Sequence, residues 1–194
     1  GAPPGAGGPQ GPGKKFQATP PDNPVVDIQY DGVMRAVDES IERLQLDRID
    51  ILHSHDPDDH YDDALHGAYK ALDHLRSEGV IRAVGAGMNQ AEMLARFARE
   101  GNFDCFLLAG RYTLLDQVAL DELLPICVER GMAIIAAGVY NSGILADSKP
   151  AARYNYSAAP EPPLERARTI QSVSASHCVP LTAAALQFPR SHPS

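Results

Sequence analysis

A parallel α/β fold, a (β/α) barrel in preference to a doubly wound sheet, is predicted by three features of the sequence. Four short apolar runs begin near Ile49, Val80, Phe103 and Met132, about 23 to 31 residues apart, and amphipathic helical stretches alternate with them. Three of these runs are nearly continuous in apolar residues, the pattern of strands buried on both faces. No run is followed by G-x-G-x-x-G; the nearest segment, "VGAGMNQ", lacks the third glycine, which disfavours a dinucleotide turn. A complete barrel of this kind needs about 250 residues. The 194 residues here allow one domain or a piece of a larger one.

Residues Gly1 to Pro24 are dominated by Gly and Pro and bury too little apolar surface to offset chain entropy, so this stretch is read as a disordered tail and residues 25–194 as the folded domain. The first helix is predicted in "DGVMRAVDESIERLQL", where Val33, Met34, Val37, Ile41 and Leu44 form an apolar stripe and Asp31 is the expected N-cap. "IDILHS" follows as the first strand. The helix "DDALHGAYKALDHLRSEG" presents Leu65, Ala68, Leu72 and Leu75 on one face, stops at Gly79, and leads into the strand "VIRAVGA". "NQAEMLARFAREG" repeats the unit, with Asn89 as N-cap and Gly101 as stop, before "FDCFLLA". "LLDQVALDELLPICVERG" repeats it again before "MAIIAAG", with Pro125 expected to kink or break the helix.

Charge and composition narrow the function. A formal net charge of -8 and a pI near 5.3 oppose a phosphate-binding surface, which needs clustered Lys and Arg, so no nucleic-acid partner is expected. No apolar run approaches the roughly 20 residues that cross a bilayer, and the start of the chain lacks an apolar signal segment. A cytoplasmic location without a membrane partner is the expectation. Cys105, Cys127 and Cys178 are widely spaced in apolar or helical settings and read as reduced, inert core thiols.

In parallel α/β folds the reactive groups sit on loops at the carboxyl ends of the strands. Those ends carry His55, Asp56, Gly87, Met88, Asn89, Arg111, Tyr112, Asn141 and Ser142. Within "IDILHSHDPDDH", strand alternation puts His53 and His55 on one face. A His-x-His pair on a barrel strand is one way to begin a metal site, as in amidohydrolase-type hydrolases, but zinc takes three or four ligands. His66, His74 and His177 fall in helices, and Asp56, Asp58 and Asp59 share one loop, so no metal is expected. The plainer reading takes His53 as a half-buried packing residue and "DPDDH" as a turn with helix N-capping. His55, last in its strand, faces the barrel mouth, where an imidazole polarises a substrate oxygen.

The segments "YDGVMRAVDESIERLQLDRIDILHSHDPD", "IRAVGAGMNQ", "FDCFLLAGRYTLLDQ", "GMAIIAAGVYNSGILA" and "LTAAALQFPRSHP", in this order, resemble the aldo-keto reductases, and within them the branch of D-threo-aldose 1-dehydrogenases and pyridoxal 4-dehydrogenases. The resemblance implies a (β/α)8 barrel that binds NAD or NADP at its mouth without a Rossmann domain, this chain supplying about strands four to seven with their helices. It implies hydride transfer between the nicotinamide and a small-molecule aldose or aldehyde, most like oxidation of an aldose at C1 to the lactone. His55, in the "D-x-x-x-x-H-x-P" segment from Asp50 to Pro57, takes the place of the family's catalytic histidine, which orients the substrate carbonyl. Met88 and Asn89 fall where the family holds the nicotinamide carboxamide, although Asn89 equally suits a plain helix N-cap. Arg111 and Tyr112 fall beside the nicotinamide at the end of strand six. Asn141, Ser142, Gly143 and Leu145 fall in the loop after strand seven that wraps the pyrophosphate, and backbone N–H groups of such a loop suit an anion even in an acidic protein.

Departures from the family pattern set a second expectation. The family's proton-donating tyrosine, with its supporting aspartate and lysine, belongs to the first three strands. Lys14 and Lys15 sit in "GPGKKFQ" with no strand around them, and no tyrosine from Tyr30 onward matches the tyrosine motif. The eighth strand of the family is also not represented after "ALQFPRSHPS". The chain is therefore read as a fragment of a sugar-oxidising enzyme, inactive by itself, with two alternatives: a non-catalytic degenerate relative that acts by binding or not at all, and a His-x-His metal hydrolase.

Overall fold

The computed structural model describes residues 27–57, 60–147, 152–155 and 157–194. The Gly/Pro-rich tail, with Lys14 and Lys15, and the turn residues Asp58 and Asp59 lie outside them. Helix α1 (Tyr30–Leu44) leads to strand β1 (Ile51–His55). A single turn, α2 (Tyr61–Asp63), runs through a π-helical turn (Ala64–Ala68) into α3 (Tyr69–Ser77) and then β2 (Ala83–Met88). Helix α4 (Ala91–Glu100), β3 (Cys105–Ala109), a 3₁₀ turn (Val118–Leu120), α5 (Leu123–Arg130) and β4 (Ala133–Ala137) complete the alternation. Beyond it come the short antiparallel pair β5 (Arg153–Tyr154) and β6 (Ser157–Ala158), then α6 (Glu161–Ser176) and α7 (Leu181–Gln187).

β1 to β4 pair in sequence order and all in parallel. Each strand starts one to three residues later than its apolar run, and before β2 and β4 the first residue of the run closes the preceding helix. Val80 N–H bonds Leu75 O at 2.9 Å and Met132 N–H bonds Cys127 O at 2.8 Å. Gly79 (φ 73°) and Gly131 (φ 66°) supply the left-handed residue that this helix ending requires.

Five expectations about local structure are corrected. Asp31 lies in the first turn of α1, whose N-cap is Gln29, and Leu44 is 59% exposed rather than on the buried stripe. Gln90 takes the N-cap of α4, so Asn89 stands one residue outside the helix. Pro125 is the third residue of α5, in the first turn, where its missing N–H has no helical partner to lose; the break falls ahead of it. Cys105 and Cys127 are buried, but Cys178 follows α6 at φ 56° and is exposed.

Alternation along the strands divides the sheet into two unlike faces. Val84, Ala86, Met88, Phe106 and Leu108 point to the helices and pack with Leu72, Leu94, Phe97 and Leu124 in the main core. The opposite face carries Ile51, His53, His55, Gly85, Gly87, Cys105, Leu107 and Ile135, and there Ile51 and Ile135 stay 45% and 41% exposed. The nearly continuous apolar runs led to the expectation of burial on both faces. Among the described residues, helices cover only one. A second core, of Leu115, Ile144, Leu145, Leu164, Ala167, Leu181 and Ala185, joins the loops after β3 and β4 to α6 and α7.

One row of this face depends on a glycine. His53 pairs with Gly85, which pairs with Cys105, and a Cβ on Gly85 would meet the His53 ring, with Nε2 at 2.7 Å, and Cys105 O at 2.8 Å. The missing side chain lets the imidazole lie across β2. Gly85→Ala is expected to cost on the order of 1–3 kcal/mol by overpacking. In a His53→Ala background that cost should shrink but not vanish, since the Cys105 carbonyl remains; urea unfolding of the four-member cycle measures it, and an undiminished cost would refute the ring contact.

Candidate active site at the carboxyl edge of the sheet

Because the four strands are parallel and in register, their carboxyl ends share one edge. β1 ends at His55, where Asp56 turns away at φ 40° while its N–H bonds Gly87 O at 3.0 Å. The His55 side chain is 79% exposed, with Nε2 3.7 Å from Asp56 Oδ2. It projects into solvent at the strand end, available to a ligand.

The exits of β3 and β4 are built against each other. Gly110 N–H bonds Ala137 O at 2.9 Å, and a Cβ on Gly138 would meet Gly110 N at 3.2 Å, so this approach favours glycine. Across it runs a buried polar chain. Asn141 Nδ2 donates to Gly110 O at 3.0 Å, Thr113 Oγ1 donates to Asn141 Oδ1 at 2.6 Å, and the same hydroxyl accepts from Leu115 N–H at 3.1 Å and Asp116 N–H at 3.0 Å. Buried amides are costly unless bonded, and this one is bonded at both ends. The chain holds Asn141, Ser142 and Gly143 at φ 47°, 62° and 104°, three consecutive residues in the left-handed region.

A second network lies on the rim. Arg111 Nη1 donates to Asn155 Oδ1 at 3.2 Å and to Asp116 Oδ2 at 3.4 Å, and the Tyr154 hydroxyl donates to the same Asp116 oxygen at 3.3 Å. This ties the β5–β6 hairpin to the loop after β3. Burial, and then the Asp116 carboxylate, push the Tyr154 phenol upward.

The structure sorts the residues singled out by sequence into two groups. His55, Asn89, Arg111, Ser142 and Gly143 keep exposed or half-exposed positions at the carboxyl edge. Met88 points into the helix-facing core at 2% exposure, Tyr112 is buried against Phe188 at 5.1 Å between ring centroids, and Leu145 sits in the second core. Only their backbones reach the edge. Asn141 is buried and positions its neighbours. Thr113, Asp116, Tyr154 and Asn155 had no role in the sequence reading. "TLLD", Thr113 to Asp116, was the available signal, since Thr-x-x-Asp commonly closes a hydroxyl-to-backbone turn.

His53 is half-buried on the free face, its Nε2 3.6 Å from Cys105 Sγ. Burial lowers its pKa, while burial and then Asp104 raise that of Cys105. Among the described residues no three His, Cys, Asp or Glu side chains gather as a metal cluster. No described helix is long and apolar enough to cross a membrane.

A parallel βα sheet with a histidine and a left-handed loop on its carboxyl edge has the arrangement in which parallel α/β folds, barrels among them, place their sites. Comparison with known proteins narrows the class: the Aldo/keto reductase family model matches residues 15–194, and the chain belongs to that family. It is 46% identical to D-threo-aldose 1-dehydrogenase from a Pseudomonas species, over 84% of this chain and 50% of that protein. It is 39% identical to pyridoxal 4-dehydrogenase from Microbacterium luteolum, over 93% and 60%. Among solved structures, an aldo-keto reductase from Bacillus halodurans in its apo form superposes with a TM-score of 0.65 at 24% identity, over 84% of this chain and 54% of that one. The glycerol dehydrogenase of Gluconobacter oxydans does so at 0.63 and 17%, over 87% and 54%. These superpositions bear on the fold, which is part of a (β/α)8 barrel, about strands four to seven with their helices. The chain spans between half and three fifths of the length of these curated relatives.

The family implies a nicotinamide cofactor, and the loop after β4 has room beside it for a ligand. Among the described residues, its two chain neighbours aside, nothing lies within 4 Å of a Cβ placed on Gly143, and Ser142 beside it is exposed. The loop thus leaves open space beside a hydroxyl.

Thr113→Val should leave Asn141 Oδ1 buried without its donor and cost about 1–3 kcal/mol in urea unfolding. Thr113→Ser should restore most of it; equal losses in both variants would show that shape, not the hydroxyl, matters. For His53, burial depresses the folded-state pKa below the ordinary 6.5, so the unfolded chain takes up the proton first. Stability should therefore be full above pH 6.5 and fall as pH drops from there toward the folded value. His53→Gln should flatten that part of the curve; an unchanged pH profile in the variant would refute the assignment.

Proposed function

We propose that the chain carries the histidine-bearing strand and the cofactor loop of an NAD- or NADP-dependent oxidoreductase that oxidises an aldose at C1 to the lactone. The observation behind this reading is the 46% identity to D-threo-aldose 1-dehydrogenase, with His55 at the carboxyl end of β1. When bound, the nicotinamide supplies the acceptor for the hydride leaving C1. His55 holds the sugar oxygen at that carbon by hydrogen bonding and fixes the carbon's orientation. Ser142 and Gly143 receive the pyrophosphate, with Asn141 holding their backbone in place. Asn89, outside its helix, is the side chain best placed for the carboxamide. Arg111, engaged with Asp116 and Asn155, acts on the rim.

The tyrosine that the family resemblance assigns as proton donor has no counterpart from Tyr30 onward. A general acid/base contributes about 10²- to 10⁴-fold, so the 194-residue chain assayed as it stands is expected to give no reduced cofactor with a D-threo aldose and either NAD or NADP. Turnover at 340 nm would show that a different group takes the proton leaving the C1 hydroxyl. The positive test is a chimera in which residues 27–194 replace the matching part of the Pseudomonas dehydrogenase. It is expected to oxidise the aldose and to lose about 10²- to 10⁴-fold of that activity with His55→Ala. A folded chimera that binds neither cofactor nor sugar would sink the proposal.

A further inference from the structure

On the reading above, in which His55 holds the oxygen at C1, we infer that Asp56 selects the substrate. Its carboxylate accepts the hydroxyl on the carbon next to the reacting one, so the site takes a 2-hydroxy sugar in preference to a 2-deoxy sugar. Strand alternation would send residue 56 to the side of the sheet opposite His55. The backbone prevents it. Asp56 takes a left-handed conformation at φ 40°, its N–H bonds Gly87 O on β2 at 3.0 Å, and Pro57 after it is buried, so the turn is held on both sides. The reversal brings the carboxylate back to the imidazole, with Oδ2 3.7 Å from His55 Nε2. Such a conformation is strained for a residue with a Cβ, and strain of this kind gathers at functional sites. Glycine would hold the same turn without strain, and asparagine would hold it as well. The turn alone therefore does not call for a carboxylate.

The chemistry of the pair says which group of the sugar meets Asp56. An ionised carboxylate only accepts hydrogen bonds, whereas an imidazole also donates them. His55 engages the oxygen at C1. The ring oxygen on the same carbon carries no hydrogen and cannot pair with a carboxylate. The nearest group that can is the hydroxyl on C2, one carbon further along, which suits a carboxylate standing 3.7 Å from the imidazole rather than one across the site. An aldehyde without that hydroxyl offers Asp56 nothing. Two adjacent residues of one strand end would thus read two adjacent carbons, His55 the one that reacts and Asp56 the one that marks the substrate as a sugar. A neutral hydroxyl bonded to a charged acceptor contributes about 10- to 100-fold.

The chimera carrying residues 27–194 tests this through two sugars, D-arabinose, whose C2 and C3 hydroxyls have the threo arrangement, and 2-deoxy-D-arabinose. The ratio of their kcat/KM values is the readout, and a preference of about 10- to 100-fold for the 2-hydroxy sugar is expected. Asp56→Gly, which suits the backbone at φ 40°, should abolish that preference. Asp56→Asn, a neutral acceptor of the same shape, should keep a small part of it. A merely structural role would lower both sugars alike and leave the ratio as it was, so an unchanged ratio in Asp56→Gly overturns the inference. A chimera that oxidises both sugars equally well overturns it too, while the oxidation of an aldose at C1 stands. A chimera folded by circular dichroism that turns over neither sugar removes that reading and the role of Asp56 with it.

Discussion

Neighbouring residues of a strand point to opposite sides, and in this sheet four parallel strands are locked so that the alternation runs unbroken from β1 to β4. Almost every placement follows from that constraint. One set of positions feeds Val84, Met88, Phe106 and Leu108 to the helices. The other set puts His53, Gly85 and Cys105 in one row and His55 with Gly87 in the next. A one-residue slip of β1 would exchange Leu52 and Ser54 for the histidines and move an imidazole into the core.

The carboxyl edge obeys a different economy. Its loops hold left-handed residues at Asp56, Gly110, Gly138, Asn141, Ser142 and Gly143, conformations that L side chains resist. The loops after β3 and β4 are kept there by a small set of buried hydrogen bonds centred on Thr113 and Asn141, while Asp56 is tied to Gly87. The histidine needs no such support, because it extends the strand itself. The edge therefore combines one residue placed by regular structure with a loop placed by side-chain bonds, and the two respond to different substitutions.

Much of the fold was legible in the sequence because its signals are local. Periodicity revealed the βα alternation, and Gly79, Gly101 and Gly131 marked helix ends at the right places. Boundaries slipped where a residue serves two elements: Val80 and Met132 read as strand by composition but bond back into helices. His55 was legible by its position at a strand end. Met88, Tyr112 and Leu145 were misleading as side-chain contacts, since which way each points is set by register and by a second core assembled from distant helices. The Thr113 to Asn141 bond joins residues 28 apart, and the Arg111 to Asn155 bond residues 44 apart. No window of sequence contains either.

The π-helical turn at Ala64–Ala68 sits beneath the chain as it enters α1, and a Cβ on Gly67 would meet Ile28 O at 2.6 Å. Such a turn carries one residue more than an α-helix of the same length. Tightening it into regular α-helix with every residue kept would swing everything on one side of it by about 100° around the axis. Tyr61 before the turn would then no longer face the same core as Leu72 and Leu75 after it. Length variation is usually sought in surface loops, yet here a helix interior carries it, and the widened turn keeps two halves of a packing surface in phase.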